Sequence, residues 1–186
     1  MRCSTTGPRP TARPASPPPA DVGGRTGRRP QNPKSCHERA LGLLAVRPRS
    51  RRELEARLLQ AGFEPDEVSE VLGRLEAVGL VDDEAFAHAV AEQAFGVRRS
   101  GERAVRAALA AKGVSGETVA AVIEELGGDE DERACELARS RLTRLRGVPP
   151  ERAFGRLVSL LARRGYPPGV ARRAARLALE VEASDA

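Results

Sequence analysis

Apolar residues recur at helical spacing along this chain, and one apolar pattern occurs three times. The three copies register on Gly62, Gly113 and Gly165, which lie 51 and 52 residues apart. Aligned on those glycines without gaps, Leu54, Val105 and Leu157 coincide, as do Leu58, Leu109 and Leu161. So do Phe63, Val114 and Tyr166; Val68, Val119 and Ala171; and Leu72, Ile123 and Ala175. A fixed period of this size is the signature of a repeat array, in which each unit buries its apolar face partly on its neighbours.

Each unit reads as three helices. In the first, a helix from Cys36 is expected to bury Leu41, Leu44 and Ala45 and to end before Pro48, because the residue preceding proline is pushed out of the α region. Ser50 caps a second helix, with Glu53 three residues on in a capping-box pattern, and Leu54, Leu58 and Leu59 as its stripe. Gly62 stops it, and Pro65 opens a third helix carrying Val68, Val71, Leu72 and Leu75.

The second unit places Phe86, Val90, Ala94 and Val97 on its first helix, Val105, Ala108 and Leu109 on its second, and Val119, Val122, Ile123 and Leu126 on its third. The third repeats the scheme with Ala134, Leu137, Ala138, Leu142 and Leu145; then Phe154, Leu157, Val158 and Leu161; then Val170, Ala174, Leu177 and Val181. The acids Asp82–Glu84 and Asp129–Glu132 open helices, where the positive end of the helix dipole favours them. No segment alternates with period two. The expectation is an all-α body of nine helices in three repeats, 36–81, 82–128 and 129–182, with residues 183–186 frayed.

Composition separates residues 1–35 from this body. They hold more than half of the 14 prolines and almost no large apolar side chain, so they cannot bury enough surface to offset their ordering entropy. They read as a disordered basic tail. Arg2, Arg9, Arg13, Arg25, Arg28, Arg29 and Lys34 against Asp21 give it +6; the whole chain carries +5, which leaves −1 for the body. The high isoelectric point is therefore a property of the tail, read as a solubilising extension, the product of a mis-chosen start codon, or a non-specific anion tether.

Catalytic constellations are missing. His37 and His88 belong to no metal-binding spacing, and the odd set Cys3, Cys36 and Cys135 is neither a disulfide framework nor a zinc pattern. No phosphate-cradling Gly-rich loop with its lysine occurs. The reading is a non-enzyme with no cofactor, no metal and no small-molecule substrate. Nothing resembles a signal peptide or a membrane-length apolar run, so a cytoplasmic, soluble protein is expected; a monomer is expected as well. The aromatics Phe63, Phe86, Phe154 and Tyr166 fall at core positions, which leaves little platform for stacking bases.

What remains is arginine. Arg47, Arg49, Arg51 and Arg52, then Arg98, Arg99, Arg103 and Arg106, then Arg144 and Arg146, lie where the first helix of a repeat joins the second. Arg163 and Arg164 precede the third glycine. Stacked units would align these groups into a stripe suited to phosphates or an acidic protein surface.

These residues also carry a family likeness. Ala40 through Ser50 (Ala-Leu-Gly-Leu-Leu-Ala-Val-Arg-Pro-Arg-Ser), then Arg52, Glu53, Leu54, Leu58, Gly62 and Phe63, then Leu75 through Asp83 with Phe86 and Ala87, resemble the RecX family of bacterial regulators of the RecA recombinase. Leu145, Arg146 and Gly147, and Leu161 through Tyr166, resemble that family's third repeat. The resemblance spans roughly residues 36–180. It implies an elongated, curved array of three three-helix repeats. It also implies a non-catalytic protein that binds RecA, chiefly as its filament on single-stranded DNA, and restrains recombinase, ATPase and coprotease activity in DNA repair and the SOS response. A weak direct nucleic-acid contact goes with the arginine stripe.

Two other readings compete. Residues 50–78 can be drawn as a helix-turn-helix acting directly on duplex DNA, although residues 64–70, where base-reading side chains belong, are Glu-Pro-Asp-Glu-Val-Ser-Glu. The other is a helical adaptor for an unrelated partner.

Overall fold

The computed structural model describes residues 34–184, with side chains to residue 181. The disordered tail expected for residues 1–35 falls outside that range except for its last two residues. Of these, Ser35 belongs to the fold: it caps the first helix in a reciprocal box with Glu38.

Nine α-helices follow in the described residues: α1 (Cys36–Val46), α2 (Arg51–Gln60), α3 (Pro65–Ala77), α4 (Asp83–Glu92), α5 (Glu102–Ala111), α6 (Gly116–Leu126), α7 (Glu130–Leu142), α8 (Pro150–Arg163) and α9 (Pro168–Ser184). There is no strand among the described residues. A π-helical segment, Gln93–Val97, extends α4, and a 3₁₀ turn, Thr143–Leu145, extends α7. The last helix runs two residues past the expected fraying point.

Each consecutive trio encloses its own core. Leu54, Leu58, Val68, Leu72 and Leu75 centre the first. Phe86, Phe95, Val105, Leu109, Val119 and Val122 centre the second. Leu137, Leu157, Leu161, Tyr166 and a row of alanines on α9 make the third. Of the fifteen positions that coincide across the repeats, all but Phe63 are buried. The repeat pattern is thus the burial pattern.

Single stripe positions were misplaced for two reasons. In α1 the inward face carries Cys36 and Ala40, with Leu43 and Leu44 partly covered, while Leu41 and Ala45 face out. These bundles are thin, so each helix has one narrow inward stripe. A leucine one position off it, such as Leu59 or Leu177, stays exposed. In α4 the π segment inserts a residue and rotates the register. Phe95 then points into the core, and Val97 is 81% exposed.

The repeats are joined by two seams built on one plan. At the first, Ser50 Oγ donates to the carbonyl of Lys112 at 2.5 Å, just before Gly113. At the second, the Gly101 amide donates to the carbonyl of Arg164 at 2.9 Å, just before Gly165. Ser50 and Gly101 are equivalent N-caps, and Lys112 and Arg164 equivalent C-caps, so the start of one repeat's second helix abuts the end of the next repeat's.

The following amides are satisfied across the same seams. Arg51 N–H donates to Asp83 Oδ1 at 2.8 Å, and Glu102 N–H donates to Glu130 Oε1 at 2.9 Å. Asp83 and Glu130 are each the first residue of the next repeat's first helix. The acids at those helix starts therefore cap two helices at once. Asp82 and Asp129 serve their own, while the residue after each satisfies an orphan amide of the preceding repeat.

Glycine is required where the seams close. Gly113 and Gly165 have φ of 78° and 91°, a region costly for side chains with a Cβ. A Cβ on Gly165 would sit 2.5 Å from the backbone N and the Cβ of Ala104, in the neighbouring repeat. We expect Gly165→Ala to lower stability by at least about 2 kcal/mol, because strain and clash act together. Urea unfolding checks the magnitude, and faster hydrogen exchange at the Glu102 amide locates the damage at the second seam.

Candidate partner-binding surface

The junction arginines do not form one uniform stripe; the seams sort them. At the first seam they converge on Glu53. Arg47 and Arg49 both pair with this carboxylate, the latter at 2.8 Å, and Lys112 approaches at 3.5 Å from the next repeat. Arg49 also donates from Nε to the carbonyl of Leu43, and only 9% of its side chain is exposed. It is an internal strut. Arg51 is tied to Glu76 at 2.7 Å, and Arg52 lays its stem against Gly113.

Glu53 does not complete the box expected with Ser50. Ser50 Oγ accepts from the Glu53 amide at 3.2 Å, but the carboxylate turns to the cations instead of returning to the Ser50 amide. Burial pushes its carboxyl up, but the Arg47 hydrogen bond and the charges of Lys112, Arg47 and Arg49 outweigh this and hold it below the usual carboxylate range.

The second seam displays a short loop. The chain leaves the π segment through Arg98 and Arg99, and Arg99 takes a φ of 47°. A left-handed arginine costs about 1–2 kcal/mol, and the third repeat holds it there. Tyr166 Oη donates to the Arg99 carbonyl at 2.8 Å, Arg164 donates to the Arg98 carbonyl, and Arg133 Nε donates to the Ser100 carbonyl at 3.4 Å. Arg133 also stacks 4.6 Å from the Phe95 ring centroid. Burial raises the Tyr166 phenol above its ordinary value, more than the Arg133 and Arg164 charges lower it, so the donating form persists at neutral pH.

Three carbonyls of this loop are therefore gripped from below, and its side chains stand above. Arg98 is exposed, with a long contact to Gln93 at 3.4 Å, while Arg99 reaches Glu136 at 3.3 Å. Arg103 and Arg106 on α5 are exposed and have no carboxylate partner among the described residues. The same holds for Arg144 and Arg146 before α8 and for Arg163 on it. Arg164 is instead half-buried in the seam.

The sequence reading missed Arg133, Arg152 and Arg156. Arg133 was hidden within an ordinary acidic helix start. Arg152 and Arg156 line a shallow cleft of about 500 Å³ with Gly155, Ser159 and Arg163; their spacing on α8 was the available signal. Among the described residues no cluster of His, Cys, Asp and Glu could hold a metal, and no helix is long and apolar enough to cross a membrane. The helix-turn-helix alternative meets an obstacle in α3, whose first turn presents Asp66 and Glu67 to solvent.

These features define a tandem array of three-helix units, locked by main-chain seams and edged with arginine. Two family models match it: "RecX, first three-helix domain" over residues 36–75 and "RecX, second three-helix domain" over residues 82–123. The regulatory protein RecX of Streptomyces coelicolor is 35% identical over 177 residues, covering 90% of this chain and 94% of the relative. That of Thermobifida fusca is 40% identical over 156 residues, covering 81% and 84%. Among solved structures, RecX from Lactobacillus salivarius shares the fold with a TM-score of 0.65 at 18% identity, covering 77% of this chain and 94% of its own. The chain belongs to the RecX family of regulatory proteins.

The Glu53 cluster gives a pH dependence with a definite sign. A carboxyl whose folded pKa is depressed contributes stability above its unfolded pKa of about 4.3, and that stability is lost as pH falls through the folded value. Glu53→Gln should cost about 1–3 kcal/mol at pH 7, because it leaves the enclosed Arg49 without its carboxylate. The cost should shrink in acid below the folded pKa. Urea midpoints of both proteins across that range measure it.

Proposed function

We propose that this chain is a non-catalytic, cytoplasmic regulator that binds a RecA recombinase, chiefly as its filament on single-stranded DNA, and restrains recombinase, ATPase and coprotease activity. Membership of a family of regulatory proteins supports a regulator. One observation carries the binding reading. Arg49 and Arg51 are spent on carboxylates within the first repeat and Arg164 on the second seam, while Arg98, Arg103 and Arg106 stay exposed and without a carboxylate partner among the described residues on the central repeat.

A rigid array offers several such groups at fixed separations. A filament offers the same protomer surface repeatedly, along with DNA phosphates. Contacts that are individually weak then add through effective concentration. Guanidinium groups suit this because they pair bidentately with both carboxylates and phosphates. An array bridging neighbouring protomers would oppose filament growth and the movements that accompany ATP turnover.

The test is RecA ATPase on single-stranded DNA titrated with the chain. Inhibition by the wild type is expected. The triple variant Arg98→Ala, Arg103→Ala, Arg106→Ala should need about tenfold more protein for the same effect, which corresponds to loss of a few exposed charge contacts. Arg99 is left in place because its φ and its Glu136 pair belong to the seam. Unchanged turnover with excess wild-type protein removes the reading; full potency in the triple variant removes the central repeat from the contact.

A further inference from the structure

The cleft on α8 occupies the register of a seam. Measured from the aligned glycines, Gly155, Arg156 and Ser159 are the equivalents of Arg52, Glu53 and Ala56. Those three residues form the α2 side of the cleft at the first seam, whose other wall is Ala110, Ala111 and Lys112 at the end of α5. On α5 itself, the same register meets the end of α8, where Gly165 lies against Ala104. Twice, then, this face of a second helix receives the C-terminal turn of another helix. On α8 the described residues place nothing over it, and Gly155, Arg156 and Ser159 are exposed.

The chemistry of this third face differs from the first. Where α2 has Glu53, which draws in Lys112, α8 has Arg156. Arg152 and Arg163 flank it, and none of the three has a carboxylate partner among the described residues. The donors differ as well. Here α8 begins a turn earlier relative to its glycine, so the position equivalent to Ser50 and Gly101 is Ala153, whose amide is spent on Pro149. Main-chain capping of an incoming turn is therefore closed, and guanidinium groups and the Ser159 hydroxyl take its place as donors.

We propose that this face is a docking seat for the C-terminal turn of an acidic helix in a partner protein. The carbonyls of such a turn carry partial negative charge, and acidic side chains there add to it, so arginine complements both. Gly155 and Ser159 are small enough to let main chain approach. A second copy of this chain is a poor occupant, since its own free turn, at the end of α2, carries Arg57. A nucleic-acid strand finds no aromatic group lining the cleft on which to stack.

Fluorescently labelled, lactam-stapled helices that differ only in their last turn test this on the full chain by anisotropy. One ends in two glutamates, the other in two lysines, and an oligo-dT strand is the third probe. The glutamate helix should bind at least about tenfold more tightly than the lysine helix, and Arg156→Glu should reverse that order. Arg163→Glu, scored the same way, covers the case of a poorly folded first variant. Equal affinity for the two helices, a preference unmoved by either reversal, or tighter binding of oligo-dT at the same salt would overturn the proposal. No RecA is present, so this outcome is independent of the ATPase result.

Discussion

Everything in this molecule depends on how the end of one helix meets the start of another across a repeat boundary. Helix termini leave amides and carbonyls without intrahelical partners, and a buried orphan costs more than a made bond returns. The two seams solve this mutually. A C-cap carbonyl at Lys112 or Arg164 takes a proton donor from the preceding repeat, and a carboxylate at Asp83 or Glu130 takes the next amide. Each bond contributes only about 1 kcal/mol, but together they fix the separation and angle of successive bundles. Glycine at 113 and 165 is the geometric condition, because any Cβ there would collide with the neighbouring repeat.

That constraint decides which charges are available. Arg49 is held inside its own repeat by Glu53 and Leu43, Arg164 is drawn across the second seam to the Arg98 carbonyl, and Arg103 and Arg106 further along α5 stay in solvent. The binding surface is thus a remainder left after assembly. In the central repeat the loop at Arg98–Ser100 is held by three donors from the third repeat. There the strain of a left-handed arginine is sustained by packing on one side and displays cationic side chains on the other.

Much of the fold was legible in one dimension. The no-gap coincidence of apolar positions on Gly62, Gly113 and Gly165 named buried positions in all three cores, with only Phe63 partly covered, because a position buried in one repeat is buried in the others for the same geometric reason. Faces of single helices were less legible. Leu41 and Leu59 satisfy helical periodicity yet stay in solvent, since a narrow stripe leaves its neighbours uncovered. Val97 was lost to a π insertion that no local residue announces. The acids at 82–84 and 129–132 were read as dipole partners of their own helices. Their service to the preceding repeat needs contact between residues 28 and 32 positions apart.

By itself, then, the chain's residue order determined an all-helical triplicate, the buried positions that the three repeats share, the glycines that punctuate it and a supply of arginine at its junctions. These are consequences of short-range periodicity and turn chemistry, which act within a few residues. Tertiary structure alone decided which arginines are struts and which are exposed, and that α8 presents a face in seam register over which the described residues place nothing. Both depend on where one repeat's helix end falls against another's, a relation between distant residues that local pattern does not encode.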